Sequence, residues 1–312
     1  MRVLHGLDAI ADLPRGAGLS IGNFDGLHIG HQRILDALGA GVTAIVTFEP
    51  HPATVLRPEL APPRLSTAEQ KRDLLAAAGI DAVLELPPTR EVLGLRPLAF
   101  WERLRDAVRP ERLIEGEDFR FGKARAGDVE MLRTNAGDTE VVTVAPATAV
   151  LSDLSVVDVG SSLIRWLIAH GRVSDAARCL GRPYRLAGSV IRGYGRGKQL
   201  GIPTANLATE QLVPADGVYA ATVGGQPAAV SIGVTPTFDG ARRQVEVHIL
   251  DTDADLYEKP LAVDMHHWVR PQVKFAGVDQ LVTQLHRDFD QVRESLAAAV
   301  STSIPRGTLP AR

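Results

Sequence analysis

Cysteine, aromatic residues and long apolar runs are all scarce in this chain, and each scarcity excludes a class of protein. The single cysteine, Cys179, cannot form an intramolecular disulfide. A chain without disulfides is typical of the reducing cytoplasm. No apolar run is long enough to span a membrane, and residues 1–14 lack the apolar core of a signal peptide. We therefore expect a cytoplasmic protein with no membrane partner, whose lone thiol is buried in a helix.

An excess of basic charge is also missing. The chain has 34 Lys and Arg residues against 37 Asp and Glu residues, so its formal net charge is −3. DNA- and RNA-binding surfaces need clustered positive charge, and we therefore expect no nucleic-acid partner. A small anionic ligand is compatible with this balance because a local loop can supply positive potential. The 312 residues are enough for two domains with a core each.

The most informative segment, residues 22–31, reads G-N-F-D-G-L-H-I-G-H and follows a short apolar run. It predicts a strand, a glycine-rich turn and then a helix with His28 and His31 on one face. Glycines let the main chain approach a ligand, and a helix N-terminus attracts anions. We interpret it as a triphosphate site; the alternatives are a plain turn with surface histidines or half of a metal site. The predicted phosphate-binding residues are Gly22, Asn23, Phe24, Asp25 and Gly26, assisted by His28 and His31.

The first 183 residues alternate between predicted strands and helices, which indicates a mostly parallel sheet with helices on both faces. The predicted strands are 42–48, 80–86, 112–116 and 141–145. The predicted helices are 66–78, 97–108, 161–169 and 174–180, and the first of them begins with a capping box at 66–69. In such sheets, ligands bind at the carboxyl ends of strands. The loops at 22–26, 47–52 and 116–122 all follow predicted strands, so we expect them to converge on one pocket.

After residue 184 the pattern changes to closely spaced strands. These are predicted at 186–192, 218–223, 228–232, 244–250 and 261–265, before a helix at 278–300. Several short strands without intervening helices favour an antiparallel barrel or sandwich. We therefore expect a first domain at 1–183, a second at 184–300 and a disordered tail at 301–312.

A second candidate phosphate site begins a predicted helix at residues 161–165. Ser161 and Ser162 supply hydroxyls and an N-cap, and Arg165 follows one turn later. Hydroxyls, first-turn amides and a guanidinium together suit a departing pyrophosphate. The alternative is an ordinary capped helix with a surface arginine.

Residues 193–201, G-Y-G-R-G-K-Q-L-G, suggest a flexible flap over phosphates, or else a plain β-turn loop. The flap residues that we assign to phosphate are Gly193, Gly195, Arg196, Gly197, Lys198 and Gly201. Just beyond them, Thr204 and Asn206 are spaced to face one side of a strand. Their neutral oxygens, with nucleotide phosphates and water, can hold Mg²⁺.

Two further groups are candidates for chemistry. Glu246 lies in a strand beside the phosphate loop and is a candidate general base for an alcohol, or else an edge-strand charge facing solvent. Residues 117–122, E-D-F-R-F-G, place two aromatic side chains around an arginine. Because aromatics make up only 5% of the chain, their clustering favours a planar ligand held between them, although both fit a core as well. The residues concerned are Asp118, Phe119, Arg120 and Phe121.

These motifs, in this order, resemble the bacterial bifunctional riboflavin kinase/FMN adenylyltransferases, also called FAD synthetases. The resemblance runs from about residue 17 to about residue 290. In the first half it rests on the segments 22–31, 47–52, 116–122 and 161–165. In the second half it rests on 201–207 (G-I-P-T-A-N-L), 214–219 (P-A-D-G-V-Y), 232–238 (I-G-V-T-P-T-F) and 246–248 (E-V-H).

The resemblance implies a Rossmann-like nucleotidyltransferase domain followed by a six-stranded antiparallel riboflavin kinase barrel with a C-terminal helix. It implies that riboflavin is phosphorylated by ATP to FMN and that FMN is then adenylylated to FAD with release of pyrophosphate. By resemblance, Glu246 is the kinase base and Thr204 and Asn206 bind Mg²⁺. His28, His31 and Arg165 act in adenylyl transfer, and His51, Asp118, Phe119, Arg120 and Phe121 contact the flavin.

Some positions depart from the family pattern. Gly160 replaces a serine, Ser162 a threonine, and Glu258 a glycine, while residues 265–268 (M-H-H-W) are unusually bulky. Three alternatives therefore stay open. They are an enzyme with an active adenylyltransferase half only, a flavin-sensing module without turnover, and an adenylyltransferase for another phosphorylated vitamin.

Overall fold

The computed structural model describes residues 1–192, 201–237, 240–252, 257 and 259–302. The described residues form two compact units. The first unit comprises Met1–Ile164 and Cys179–Gly181, and the second comprises Arg165–Arg178 and the chain from Arg182 onward. The predicted domain boundary after residue 183 stays a prediction, because the two helices before it each contribute to both units.

One parallel sheet is the framework of the first unit. Its strands are β1 (Arg2–His5), β2 (Gly18–Ile21), β3 (Thr43–Phe48), β4 (Ala82–Leu86), β5 (Arg112–Gly116) and, further along the chain, β8 (Glu140–Val144). The order across the sheet is β1-β4-β3-β2-β5-β8, with parallel neighbours throughout. The order reverses between β2 and β5, and open α/β sheets bind ligands at such a switch point. The expected parallel sheet is thus confirmed, with β1 as a strand that the sequence did not predict.

Helices cover both faces of this sheet, as predicted. They are α1 (Ile29–Ala37), α2 (Ala53–Leu56), α3 (Ala68–Ala77), α4 (Arg90–Gly94), α5 (Pro97–Val108) and α6 (Val129–Thr134), followed by α7 (Ser161–Ala169) and α8 (Val173–Leu180). Alternate residues of β3 enter opposite cores. Val46 packs with Leu104 of α5, whereas Ile45 packs with Leu35 of α1 and Leu75 of α3. The carboxyl edge of the sheet is therefore left to the loops.

Two short antiparallel pairs lie outside the main sheet: β6 (Arg120–Phe121) with β7 (Gly127–Asp128), and β9 (Thr148–Val150) with β10 (Val156–Asp158). Cys179 on α8 is fully buried, which confirms the predicted burial of the lone thiol. Within the described ranges, no helix combines the length and apolar character needed to cross a bilayer.

A closed antiparallel barrel forms the centre of the second unit. Its strands are β11 (Tyr184–Ile191), β12 (Ala205–Ala208), β13 (Gly217–Val223), β14 (Gln226–Thr237), β15 (Gly240–Ile249) and β16 (Pro260–Arg270). They close in the order β11-β12-β15-β14-β13-β16. The expected barrel is confirmed, and several of its strands are longer than the sequence predicted because β14 and β15 pair along almost their whole length.

The last helix, α9 (Val278–Thr302), packs on the outside of the barrel. Its Phe289 and Val292 form a cluster with Ala220 of β13 and Ala229 of β14. This contact explains why β13 is buried on both faces. The helix extends through the first two residues of the predicted tail, and residues 303–312 lie outside the described part of the chain.

Candidate active sites

The turn after β2 is held in an unusual backbone conformation by burial. Gly26 has a φ of +77°, and the non-glycine residues Phe24 and Leu27 have φ values of +48° and +37°. L-residues rarely adopt positive φ, and the conformation persists only where the surroundings stabilise it. Here Phe24 and Leu27 are buried in the core beneath the turn. The turn is therefore fixed in shape before any ligand binds.

The two histidines of the motif lie together where α1 begins. His28 is the N-cap, and its Nδ1 accepts a hydrogen bond from the His31 N–H at 3.3 Å. The two rings stack with centroids 3.6 Å apart. A Cβ on Gly30 would lie 3.1 Å from His28 Nδ1, so the glycine makes room for the capping ring. Because Nδ1 accepts, a neutral His28 ring carries its proton on Nε2.

Asp25 anchors the turn to the segment before α3. Its carboxylate accepts hydrogen bonds from the Ser66 N–H at 3.0 Å, the Ser66 hydroxyl at 3.1 Å and the Leu65 N–H at 3.1 Å. The Ser66 Oγ in turn accepts from the Gly26 N–H at 3.1 Å. These contacts give Asp25 a structural task, and its predicted contact with phosphate stays a prediction.

The start of α7 reaches the same turn. The Ser161 hydroxyl donates to the Asp25 carbonyl at 3.2 Å, although the two residues are 136 positions apart. Ser162 is exposed beside it. A Cβ at Gly160 would meet no atom within 4 Å. The serine that is usual in the family would therefore fit here, and no neighbouring side chain in the described part of the chain fills the space that it would take. Arg165 lies on the same helix but belongs to the second unit, and its phosphate role stays a prediction.

The loop after β3 lies beside the turn. The Thr47 hydroxyl donates to the Asn23 carbonyl at 3.2 Å, which confirms that these two loops converge. The Glu49 carboxylate binds Lys71 Nζ at 2.9 Å and an Arg64 nitrogen at 2.8 Å. Sequence reasoning missed these two cations. The sequence feature that indicated a buried role for Lys71 was its position on the apolar face of α3.

The predicted flavin residues His51 and Asp118 lie after β3 and β5, at the same edge of the sheet. His51 Nδ1 accepts from the Ala53 N–H at 3.1 Å where α2 begins. Asp118 is exposed. Both positions fit a ligand bound at the carboxyl edge, and their contact with flavin stays a prediction.

The aromatic pair after β5 does not form the expected sandwich. The rings of Phe119 and Phe121 stack on each other with centroids 5.5 Å apart and an interplanar angle of 9°. That separation leaves no room for a planar ligand between them. Phe121 is buried against Phe100 of α5, and Arg120 pairs with Asp128 at 2.7 Å. Phe121 belongs to the core of the first unit, and Phe119 packs against that core while staying partly exposed.

In the second unit, the barrel register brings two predicted residues face to face. Asn206 of β12 pairs directly with Glu246 of β15. Directly opposed residues of antiparallel strands have neighbouring side chains on one face of the sheet. Val245 and Val247 are buried on the other face of β15. An amide oxygen and a carboxylate thus adjoin on the less buried face of the sheet.

Thr204 is held close to this pair by a histidine whose role the sequence did not reveal. The ring of His248 hydrogen-bonds the Pro203 carbonyl through Nδ1 at 2.7 Å. The same ring packs on Phe289 of α9, with centroids 4.7 Å apart. The C-terminal helix therefore supports the segment that carries Thr204. The only available signal was the two-residue spacing between Glu246 and His248 on one strand face.

Several predicted residues lie outside the described part of the chain. They are Gly193, Gly195, Arg196, Gly197, Lys198 and Glu258. Gly201, the last residue assigned to the flap, is described and has a φ of +73°. Left-handed backbone at this point favours glycine.

Comparisons with known proteins agree with this two-unit organisation. A family model described as FAD synthetase matches residues 11–155, and one described as riboflavin kinase matches residues 180–296. A crystal structure described as a macrolide-efflux protein from Streptococcus pneumoniae superposes with a TM-score of 0.81 at 28% identity, covering 94% of this chain and 99% of that chain.

Curated relatives match almost the full length. The bifunctional riboflavin kinase/FMN adenylyltransferase of Pseudomonas fluorescens is 38% identical over 96% of this chain and 98% of its own. The enzyme of the same description from Escherichia coli K12 is 32% identical over 94% of this chain and 97% of its own. Both catalytic domains are present in the order of these relatives. The chain therefore belongs to the family of bifunctional riboflavin kinase/FMN adenylyltransferases.

Proposed function

We propose that this protein makes FAD from riboflavin in two ATP-dependent steps, with the barrel unit as the kinase and the parallel-sheet unit as the adenylyltransferase. The observation that carries this division is the match of two different family models to the two halves of the chain. Its small-molecule partners are riboflavin, FMN and ATP. The reaction takes place in the cytoplasm, in keeping with the single cysteine.

In adenylyl transfer, a phosphate oxygen of FMN attacks the α-phosphorus of ATP. The new phosphorus–oxygen bond forms as the bond to the β-phosphate oxygen breaks, and pyrophosphate leaves with those electrons. FMN phosphate is already ionised, so the protein needs to supply alignment and charge stabilisation rather than a base. The first-turn amides of α1 and the Nε2–H of His28 suit the α- and β-phosphates. His31 stacks on His28 and acts on the same phosphate chain.

The hydroxyl at the start of α7 and Arg165 would stabilise the departing pyrophosphate. Ser161 is already tied to Asp25 in the turn, so this helix start and the turn share one anchor. Backbone amides and a guanidinium are strong ligands for a polyanionic leaving group. The residues at the carboxyl ends of β3 and β5 would take the flavin.

In the kinase step, Glu246 takes the proton from the ribityl 5′-hydroxyl as its oxygen bonds to the γ-phosphorus of ATP. The bond from that phosphorus to the bridging oxygen breaks, and ADP leaves. A positioned carboxylate base contributes about 10²–10⁴-fold to such a step. The flap at 193–201 would cover the phosphates.

The donor set beside Glu246 fits Mg²⁺ bound together with a nucleotide. Thr204 and Asn206 offer neutral oxygens on the strand face that Glu246 shares. Mg²⁺ prefers oxygen ligands, and it is often held by few protein groups together with substrate phosphates and water. When bound, it would neutralise charge on the ATP phosphates.

The fate of labelled ATP tests this assignment. With riboflavin and Mg²⁺, label from the γ-phosphate should appear in FMN and be carried into FAD. Among the flavins, label from the α-phosphate should appear only in FAD, while the rest of it stays in ATP and ADP. His31→Ala should lower FAD formation by about 10²-fold while FMN formation persists. Glu246→Gln should lower FMN formation by about 10²–10⁴-fold but still convert supplied FMN to FAD.

Two exposed substitutions serve as controls. His5→Ala removes a histidine whose side chain is 65% exposed on β1, and Glu294→Gln changes an exposed carboxylate on α9. Both should leave the two activities unchanged. Equal loss of both activities in His31→Ala and Glu246→Gln would refute the division between the units.

A further inference from the structure

In the parallel sheet of the first unit, the neighbouring strands β2 and β5 separate at their carboxyl ends. The described ladder between β2 and β5 pairs Gly18 with Arg112 and Leu19 with Leu113, and goes no further. Beyond that point, β2 stays paired with β3 as far as Ile21, and β5 stays paired with β8 as far as Gly116. The two strands therefore separate where the topology places a ligand crevice.

One buried side chain spans the gap between the two separated strands. The Glu115 Oε1 of β5 accepts a hydrogen bond from the Ile21 N–H of β2 at 2.7 Å. Glu115 is only 2% exposed, and the two residues are 94 positions apart in the chain. The carboxyl group thus replaces the main-chain acceptor that the ladder would have supplied to Ile21.

The bonded residues are the last before two of the loops described above. Ile21 precedes Gly22, which begins the turn leading to the stacked histidines. Glu115 precedes Gly116, which begins the loop carrying Asp118. The hydrogen bond from Ile21 to Glu115 therefore joins the two strand ends from which these loops begin.

The protonation of the Glu115 carboxyl matters because the loop after β2 is the proposed binding site of a polyphosphate. Burial raises the pKa of the Glu115 carboxyl well above its usual value, although the hydrogen bond from the Ile21 N–H acts in the opposite direction. A neutral carboxyl accepts the Ile21 hydrogen bond without repelling the phosphates of ATP. Glutamine offers the same neutral acceptor.

We propose that Glu115 is a positioning residue for adenylyl transfer, which fixes the separation between the phosphate-binding loop after β2 and the flavin-binding loop after β5. This inference rests on the proposed assignment of these loops to FMN adenylylation. It gives a specific task to a residue that touches neither substrate.

Kinetics of two substitutions test the proposal. Glu115→Met keeps the length of the side chain but removes the acceptor. It should raise KM for both ATP and FMN and lower kcat/KM for FAD formation by about tenfold or more, because misplaced loops lose alignment. Glu115→Gln should restore values within about twofold of the wild type. Riboflavin phosphorylation, measured in the same preparations, should not change.

Asp81→Ala is the matched stability control, because it removes a side-chain acceptor for Thr43 at the opposite edge of the same sheet. It should lower stability without changing either KM. If Glu115→Met behaves like Asp81→Ala, or if Glu115→Gln is as impaired as Glu115→Met, the proposal is wrong. Absence of FAD formation by the wild type would instead refute the proposed function.

Hydrogen exchange of the wild-type protein gives an independent measurement that does not depend on the folding of Glu115→Met. The Ile21 amide should be protected to the same degree as the ladder amide of Gly22, which donates to the Val46 carbonyl at 3.0 Å. Exchange of the Ile21 amide at the rate of an exposed loop amide would overturn the proposal.

Discussion

At the scale of single residues, buried polar side chains hold the loops of the first unit. Lys71 was predictable in part, since a lysine on the apolar face of a helix needs a buried partner, which proved to be Glu49. Glu115 was not predictable. A glutamate at the end of a predicted strand suggests an exposed tip, and nothing near it in sequence points to Ile21.

The raised pKa of Glu115 predicts a pH-dependent stability. In the unfolded chain this carboxyl ionises near its ordinary value, whereas in the folded protein it stays protonated to a much higher pH. Its contribution to stability is therefore complete below the unfolded pKa and is lost as pH rises toward the folded pKa. Within that window the loss is at most about 1.4 kcal/mol per pH unit.

Glu115→Gln cannot ionise and should lack this loss. Urea unfolding at several pH values above 5 should show the variant gaining stability relative to the wild type as pH rises. A difference between the two proteins that stays constant across this range would contradict a protonated Glu115.

At the scale of elements, the start of α3 shows how tertiary contacts decide between equal local signals. Ser66 with Glu69, and Thr67 with Gln70, both fit the capping-box pattern. The structure uses Thr67 and Gln70, so the predicted register was wrong by one residue. Ser66 is instead hydrogen-bonded to Asp25, a partner that the local pattern does not contain.

The two neighbouring hydroxyls should therefore respond differently to removal. Thr67→Ala loses the N-cap and should cost about 1 kcal/mol of unfolding free energy without changing KM for ATP. Ser66→Ala loosens the turn through Asp25 and Gly26 and should raise KM for ATP in FAD formation. Urea unfolding combined with steady-state kinetics measures both effects, and equal changes in KM would contradict the assignment.

Strand β1 shows a different limit of sequence reasoning. It has four residues, its middle positions are only half-buried, and its partner β4 lies far along the chain. Periodicity is weak over such a short segment. Helix α5, by contrast, has the bounds that were predicted, because its apolar residues recur at helical spacing over twelve residues.

The attachment of α9 to the barrel gives a prediction for the second unit. Arg270 of β16 binds Asp288 through two nitrogens, at 2.9 and 2.7 Å, and Asp288 is 1% exposed. Removing one partner leaves the other charge buried, so Asp288→Ala should cost about 3–5 kcal/mol.

Asp290→Ala is the control, because Asp290 forms an exposed pair with Arg293 and its loss should cost about 1 kcal/mol or less. Urea unfolding followed by riboflavin kinase activity compares the two variants. Equal midpoints would show that α9 does not depend on the buried pair.

At the scale of the whole molecule, the two-part organisation could be predicted because the strand pattern changes in character near residue 184. The register of the barrel could not, since it depends on which strands pair. That register places Asn206 opposite Glu246, and no local signal contains it. The sequence therefore indicates the candidate site residues by their type, and the strand pairing of the fold brings Asn206 and Glu246 together.

Mixing two single-site variants tests the separate sites most directly. With riboflavin, ATP and Mg²⁺, Glu246→Gln alone should yield very little FMN, and His31→Ala alone should accumulate FMN with little FAD. The mixture should make FAD, because FMN released by one variant is adenylylated by the other. A mixture that makes no more FAD than His31→Ala alone, while each variant retains its expected single activity, would contradict two independently acting sites.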